Sequence, residues 1–134
     1  MNLPCEFVEK MKKLLGNTAD DFFAQLDNPA IKGITVNFDR IDKGNFEKNC
    51  DFQITPIEHI DNGYYVDNLK FSTNIYNHLG VIYSQEPSAM YPVELLDIRP
   101  DDIVLDICAS PGGKSIQILE KLQGTGFLVS NEIV

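Results

Sequence analysis

Ile103-Val104-Leu105-Asp106-Ile107-Cys108 runs into Ala109-Ser110-Pro111-Gly112-Gly113 and then into Lys114-Ser115-Ile116-Gln117-Ile118-Leu119-Glu120-Lys121-Leu122. The first segment is apolar except for Asp106, the pattern of a central parallel strand covered on both faces. The second is a tight loop whose adjacent glycines let the backbone approach a ligand closely or take positive φ. The third carries apolar residues at helical spacing and stops at Gly124. Phe127-Leu128-Val129-Ser130-Asn131 reads as a second strand, with Glu132 behind it. One β-loop-α-β unit results, the building block of an α/β sheet.

Such a loop is a place to put a ligand. A helix N-terminus presents free N–H groups to an anionic or carbonyl oxygen. An acid closing the next strand can accept hydrogen bonds from a ribose diol, and Glu132 follows Gly113 by 19 residues (132 − 113). That is close to the spacing of about 20 in nucleoside-binding α/β units. Three readings compete. S-adenosylmethionine in a methyltransferase fits Asp106, the loop and Glu132 together. A P-loop fits Cys108-Ala109-Ser110-Pro111-Gly112-Gly113-Lys114-Ser115 except that Cys108 stands at the first glycine and Pro111 removes an N–H from the phosphate cradle. A plain strand-to-helix turn fits the bare loop.

Upstream, Phe7, Met11, Leu14 and Leu15 form one helical stripe ended by Gly16. Thr18 opens a second short helix with Asp20 and Asp21 in its first turn, and Asn28-Pro29 stops it. Gly33-Ile34-Thr35-Val36-Asn37-Phe38 alternates strictly and predicts a half-buried strand. Asp42 is placed to cap a brief helix carrying Phe46. Asp61-Asn62-Gly63, between Ile57 and Tyr64-Tyr65-Val66, predicts a hairpin. Phe71 to Gly80 is polar and turn-rich, Val81-Ile82-Tyr83 is a short apolar run, and Pro87 opens a helix to about Leu96. The pattern changes near Asn68, so the chain divides into an N-terminal α/β domain at 1–70 and a second domain starting over 71–134.

The chain has 134 residues, 43% of them hydrophobic, enough apolar mass to offset ordering entropy. No apolar run approaches the roughly 18 residues of a membrane helix. The N-terminus lacks the basic start and apolar block of a signal peptide. Three cysteines, Cys5, Cys50 and Cys108, are too few and scattered for a disulfide framework or a metal cluster. No metal site is expected, and the reducing cytoplasm is the expected compartment. The net charge of −9, with pI near 4.5, weighs against a nucleic-acid binder, whose affinity leans on a basic surface.

Tyr83-Ser84-Gln85-Glu86-Pro87-Ser88-Ala89-Met90, then Val104 to Ser115, then Asn131-Glu132-Ile133, closely resemble the NOL1/NOP2/Sun family of RNA 5-methylcytosine methyltransferases, most of all its bacterial 16S rRNA members of the RsmF type. Leu3-Pro4 through Leu15-Gly16 and Gly63-Tyr64-Tyr65 share the likeness. The early strand departs from it: Thr35-Val36-Asn37-Phe38-Asp39-Arg40 lacks the first basic residue of the family's R-V-N-T-L-K. The resemblance implies a class I (Rossmann-like) methyltransferase sheet preceded by a small α/β domain that helps to hold RNA. It implies that Cys108, Ala109, Ser110, Pro111, Gly112, Gly113 and Lys114 wrap the methionine and ribose part of S-adenosylmethionine, and that Glu132 holds the ribose hydroxyls. Gln85 and Ser88 then support that pocket or the catalytic loop, with a helix cap as their plainer role. It further implies that the two catalytic cysteines of the family lie downstream, so that this chain is an N-terminal piece of an rRNA-processing transferase whose partners are RNA and the remaining methyltransferase half. A non-catalytic fragment serving as a protein-interaction module is the alternative from another class.

Overall fold

A computed structural model describes residues 3–133, which divide between Ala30 and Ile31 into two compact units. In the first, α1 (Cys5–Leu15) and α2 (Ala19–Leu26) flank a 3-10 turn at Gly16–Thr18. Glu6 in the first turn of α1, and Lys12 and Lys13 in its last, suit the helix dipole. Gly16 ends α1 at φ +54, its N–H bonded to the Lys12 carbonyl. Thr18 does not cap α2 through its side chain; its hydroxyl donates back to the Leu15 carbonyl at 3.0 Å. Phe7, Phe22 and Phe23 pack ring against ring.

The second unit holds β1 (Gly33–Val36), α3 (Lys43–Asn49), β2 (Gln53–Pro56), β3 (Gly63–Asp67), α4 (Ile75–His78), β4 (Ile82–Ser84), α5 (Tyr91–Leu95), β5 (Ile103–Asp106), α6 (Gly113–Leu122) and β6 (Phe127–Ser130). Short 3-10 turns precede α4 and α5. The region read as turn-rich thus holds a 3-10 turn and α4. The helix expected from Pro87 to Leu96 is split in two at Met90.

β2-β3-β1-β4 form a four-stranded antiparallel sheet, with Thr35 opposite Gly63 on one side and Tyr83 on the other. The expected hairpin is present, with β2 paired to β3 from Gln53↔Asp67 to Pro56↔Tyr64. β1 ends at Val36, two residues short of the alternating run, because the Asn37 side chain accepts from the Asp39 N–H and starts a turn. One face of the sheet carries Ile34, Val36, Tyr64, Val66 and Ile82 onto Phe46 of α3, which meets Phe52, Tyr64 and Tyr76 edge-on. Asp42 caps α3 by accepting from the Asn45 N–H at 2.9 Å, as expected.

The opposite face carries Gly33, Thr35 and Gly63 beside Tyr65 and Tyr83. A Cβ at Gly33 would lie 3.1 Å from Met90 Cε, and one at Gly63 would lie 3.1 Å from Met90 Sδ. Met90 therefore plugs a dimple between two glycines and is fully buried with Ile57 and Ile60. All four residues of β1 are buried, not every second one, because both faces of the strand are covered.

β5 and β6 form a separate parallel pair, Ile103↔Phe127 to Asp106↔Ser130, joined by α6. Val93, Ile118 and Leu122 make its core, with Val104 and Leu128 packed against it. Cover on both faces was the sequence expectation for β5. Among the described residues only one face is covered: Ile103 is 81% exposed, Leu105 64% and Phe127 63%.

Candidate functional site

The sequence sets the loop between β5 and α6 through one carboxylate. Asp106 ends β5 nearly buried. Its Oδ1 accepts from the Cys108 N–H at 3.1 Å, and its Oδ2 accepts from the Ser115 hydroxyl at 2.6 Å. Both ends of the loop are thus tied to one side chain. The Ser110–Pro111 bond is cis. Gly112 then adopts φ +112, a conformation open to glycine, and serves as the N-cap of α6. No side chain caps that helix, so the N–H groups of Gly113, Lys114 and Ser115 point out of its end without an intrahelical partner.

Glu132 stands beyond β6 and reaches the loop directly. One carboxylate oxygen accepts from the Ser110 N–H at 3.1 Å and the other from the Ile133 N–H at 2.7 Å. The backbone adds two more ties: the Ala109 N–H donates to the Asn131 carbonyl, and the Asn131 N–H to the Asp106 carbonyl. A carboxylate has about four acceptor positions, so Glu132 keeps capacity for further donors. The Lys114 side chain forms no hydrogen bond or ion pair among the described residues.

A cleft of about 200 Å³ opens beside this loop, lined by Cys108, Ala109, Ser110, Pro111, Gly113 and Lys114 from one side. Tyr83, Gln85 and Glu86, from the end of β4, line the other. Every expected loop residue except Gly112 lines the cleft; Gly112 makes the turn behind it, and Glu132 holds the loop from outside it. Ser88 stays apart: its hydroxyl donates to Glu86 Oε2, which also accepts from the Ala89 N–H. The cap of that turn is therefore Glu86, which Ser88 holds in place, and not Ser88 itself. The Ser88 hydroxyl also holds the Glu86 carboxyl below the ordinary carboxylate range.

Of the contacts made from the end of β4, that of Gln85 with this pocket is the one the resemblance implied, and that of Tyr83 was not legible in the sequence. The Tyr83 hydroxyl donates to the Pro111 carbonyl at 2.8 Å. Gln85, 8% exposed, donates through Nε2 to the Ala89 carbonyl at 3.1 Å and to Gln117 Oε1 of α6 at 2.9 Å. A Cβ at Gly113 would lie 3.0 Å from both Cδ and Oε1 of Gln85. A side chain at position 113 would therefore press on Gln85 as well as on any ligand.

A second cavity of about 260 Å³ lies along the other end of α6, with Asp39, Asp61, Glu94 and Glu120 on its wall. Lys121 pairs with Glu94 at 2.7 Å. Glu120 accepts from the Asn62 amide at 2.6 Å. Burial first, and the charge of Asp39 second, push the Glu120 carboxyl up to about 7. Among the described residues no group of His, Cys, Asp and Glu has the arrangement of a metal site, and no helix is long and apolar enough to cross a membrane.

A strand, a glycine turn at a helix N-terminus, and an acid after the next strand define a chain of the class I methyltransferase type, carried here behind a small antiparallel sheet. The crystal structure titled as a methyltransferase homologue protein from Pyrococcus horikoshii is similar over 96% of this chain and 44% of that one, with a TM-score of 0.78 and 25% identity. The family described as the N-terminal domain of 16S rRNA methyltransferase RsmF matches residues 3–87, and the chain belongs to that family. Proteins named ribosomal RNA small subunit methyltransferase F are similar over 98% of the chain: one from Pectobacterium carotovorum is 32% identical and one from Vibrio cholerae 34%. The chain spans 30% of the length of these two relatives.

Proposed function

We propose that the chain carries the methyl-donor-binding part of an rRNA cytosine-C5 methyltransferase that uses S-adenosylmethionine. The observation that carries this reading is the Gly112–Gly113 turn at the uncapped end of α6, facing a cleft and tied to Glu132. The residues present fit such a donor. The backbone from Cys108 to Lys114 would follow its methionine and ribose part, the free N–H groups of α6 would meet its carboxylate, and Glu132 would accept from the ribose hydroxyls. The donor supplies an electrophilic methyl group. The chain's own part is to bind and orient it, with Asp106 and Ser115 holding the loop in shape beforehand.

Residues 1–70 would help to hold RNA, and 71–134 would begin the donor domain; β4, within the latter stretch, hydrogen-bonds into the sheet formed by the former. RNA and the remaining methyltransferase half are the partners implied, and the cytoplasm is the compartment where rRNA is modified. Likeness to rRNA methyltransferases over nearly the whole chain supports this reading over a protein-interaction module.

Cytosine C5 accepts a methyl group only after a thiolate adds at C6, a covalent step that needs an activated cysteine. Cys50 is unsuited: burial first, and the charges of Asp51 and Glu47 after it, push its thiol up. Cys108 belongs to the loop, and Cys5 lies beside Glu6 on α1. The nucleophile is therefore assigned outside these 134 residues. Residues 1–134 should form no covalent adduct with RNA containing 5-fluorocytosine, whereas the chain joined to the remainder of a curated relative should form one. A stable adduct with residues 1–134, lost on substitution of Cys5, Cys50 or Cys108, would overturn that assignment.

A further inference from the structure

The donor loop is gripped from two sides that are unrelated in sequence. The β5–α6–β6 segment itself holds it through Asp106, Ser115 and Glu132. The second grip comes from β4, a strand of the antiparallel sheet. Tyr83 reaches across 28 residues to the Pro111 carbonyl, immediately before the positive-φ glycine. Gln85 packs under Gly113 and ties one turn of α6 to the Ala89 carbonyl. β4 cannot shift freely, because Tyr83 and Ser84 are in register with Thr35 and Ile34 of β1, and the Gln85 N–H donates to the Gly33 carbonyl at 3.1 Å.

We infer that Tyr83 and Gln85 are positioning residues that brace the loop from the antiparallel sheet and set its affinity for the methyl donor. The inference rests on the donor reading of the loop. Its physical basis is pre-organisation. A glycine turn has many unbound conformations, and ordering it on binding subtracts from affinity. The β5–β6 pair has one uncovered face and cannot by itself supply the missing restraint. The Tyr83 hydroxyl supplies it at the residue where the chain must turn. Gln85 supplies it at the first residue of the helix, where closeness of approach is possible only because position 113 has no side chain.

Tyr83→Phe removes one hydroxyl and leaves the ring, so the fold should be retained with an unchanged melting temperature. Amide hydrogen exchange of the ligand-free chain should quicken at Ala109, Ser110 and Ile116, whose N–H groups are bonded to Asn131, Glu132 and Gly112, while α6 beyond Gln117 and the antiparallel sheet stay as protected as before. Affinity for S-adenosylhomocysteine should fall about 3–10-fold, the loss of one ordinary hydrogen bond. Exchange and affinity both unchanged would overturn the brace, as would quickening spread evenly over β5, α6 and β6. Loop-confined quickening in a chain whose unsubstituted form binds no S-adenosylhomocysteine would keep the brace as a structural device and overturn the donor reading instead.

Discussion

β1 and β5 invert what their sequences announce. Gly33-Ile34-Thr35-Val36 alternates like a strand with one wet face, yet all four residues are buried. Ile103-Val104-Leu105 is apolar throughout like a strand covered on both faces, yet Ile103 and Leu105 lie open. The difference lies in what covers each strand. On β1, the non-apolar positions are Gly33 and Thr35, and at Gly33 the Gln85 carbonyl, Pro87 and Met90 come too close to leave room for a side chain. Alternation distinguishes large from small as readily as inside from outside. On β5, Val104 faces α6 and its core, while Ile103, Leu105 and Phe127 face nothing among the described residues. An apolar run reports a strand's demand for cover; the supply comes from elsewhere in a structure.

The largest effect expected from this contrast is at Phe46, which is fully buried and surrounded edge-on by three rings. Phe46→Ala should cost about 3–5 kcal/mol, enough to unfold the antiparallel sheet in a denaturant titration. Retention of more than half the stability would mean that the aromatic cluster is not the anchor of this unit.

Glu120 gives a smaller effect with a definite sign. Its carboxyl is raised from 4.5 to about 7 in the folded chain, so the folded state holds the proton more tightly than the unfolded one. The contribution to stability is full below about 4.5 and is lost as pH rises through about 7. The groups around it are Asp39, Asn62 and Lys121, with Asp61 and Glu94 on the same cavity wall. Glu120→Gln should raise the melting temperature at pH 7.5 and remove most of the decline between pH 5.5 and 7.5. An unaltered pH slope in the variant would show that the carboxylate is solvated and that α6 packs less closely on the sheet than the structure has it.

Leu105→Ala should have the smallest effect on stability, within about 0.5 kcal/mol, because the side chain is already mostly in water. The same face should drive self-association, since contiguous exposed apolar surface and an open strand edge invite pairing. Light scattering of the unsubstituted chain should show a mass that rises with concentration, and Leu105→Glu should lower it. A monomer at all concentrations, with Leu105→Ala costing several kcal/mol, would mean that β5 is covered after all.

Much of the architecture was legible in residues 103–132, because a strand, a double-glycine turn, a helical stripe and a second strand each carry their own local signal. The hairpin at Asp61-Asn62-Gly63 and the Asp42 cap were legible for the same reason. The brace was not. Tyr83 and Pro111 are 28 residues apart and belong to different sheets, and no local pattern records which carbonyl a tyrosine hydroxyl will find. Asp106 was read with the ligand-binding set; that its two oxygens also tie both ends of the loop together is something only hydrogen-bond geometry reveals. Glu120 reads as the polar face of an amphipathic helix; it is largely buried because α6 packs against the β2–β3 turn as well as against its own strands.

The central claim is that the loop from Cys108 to Lys114, with Glu132, receives an S-adenosyl donor. It is tested most directly by titrating S-adenosylhomocysteine into the chain and following the backbone amide resonances, a readout that registers even weak binding. The account predicts saturable shifts at Cys108, Ala109, Gly113 and Lys114, and an affinity lowered in Glu132→Ala by roughly 1–3 kcal/mol, the cost of ribose hydroxyls that lose a charged acceptor. Shifts absent from that loop, an affinity untouched by Glu132→Ala, or binding of ATP that depends on Lys114 would contradict it.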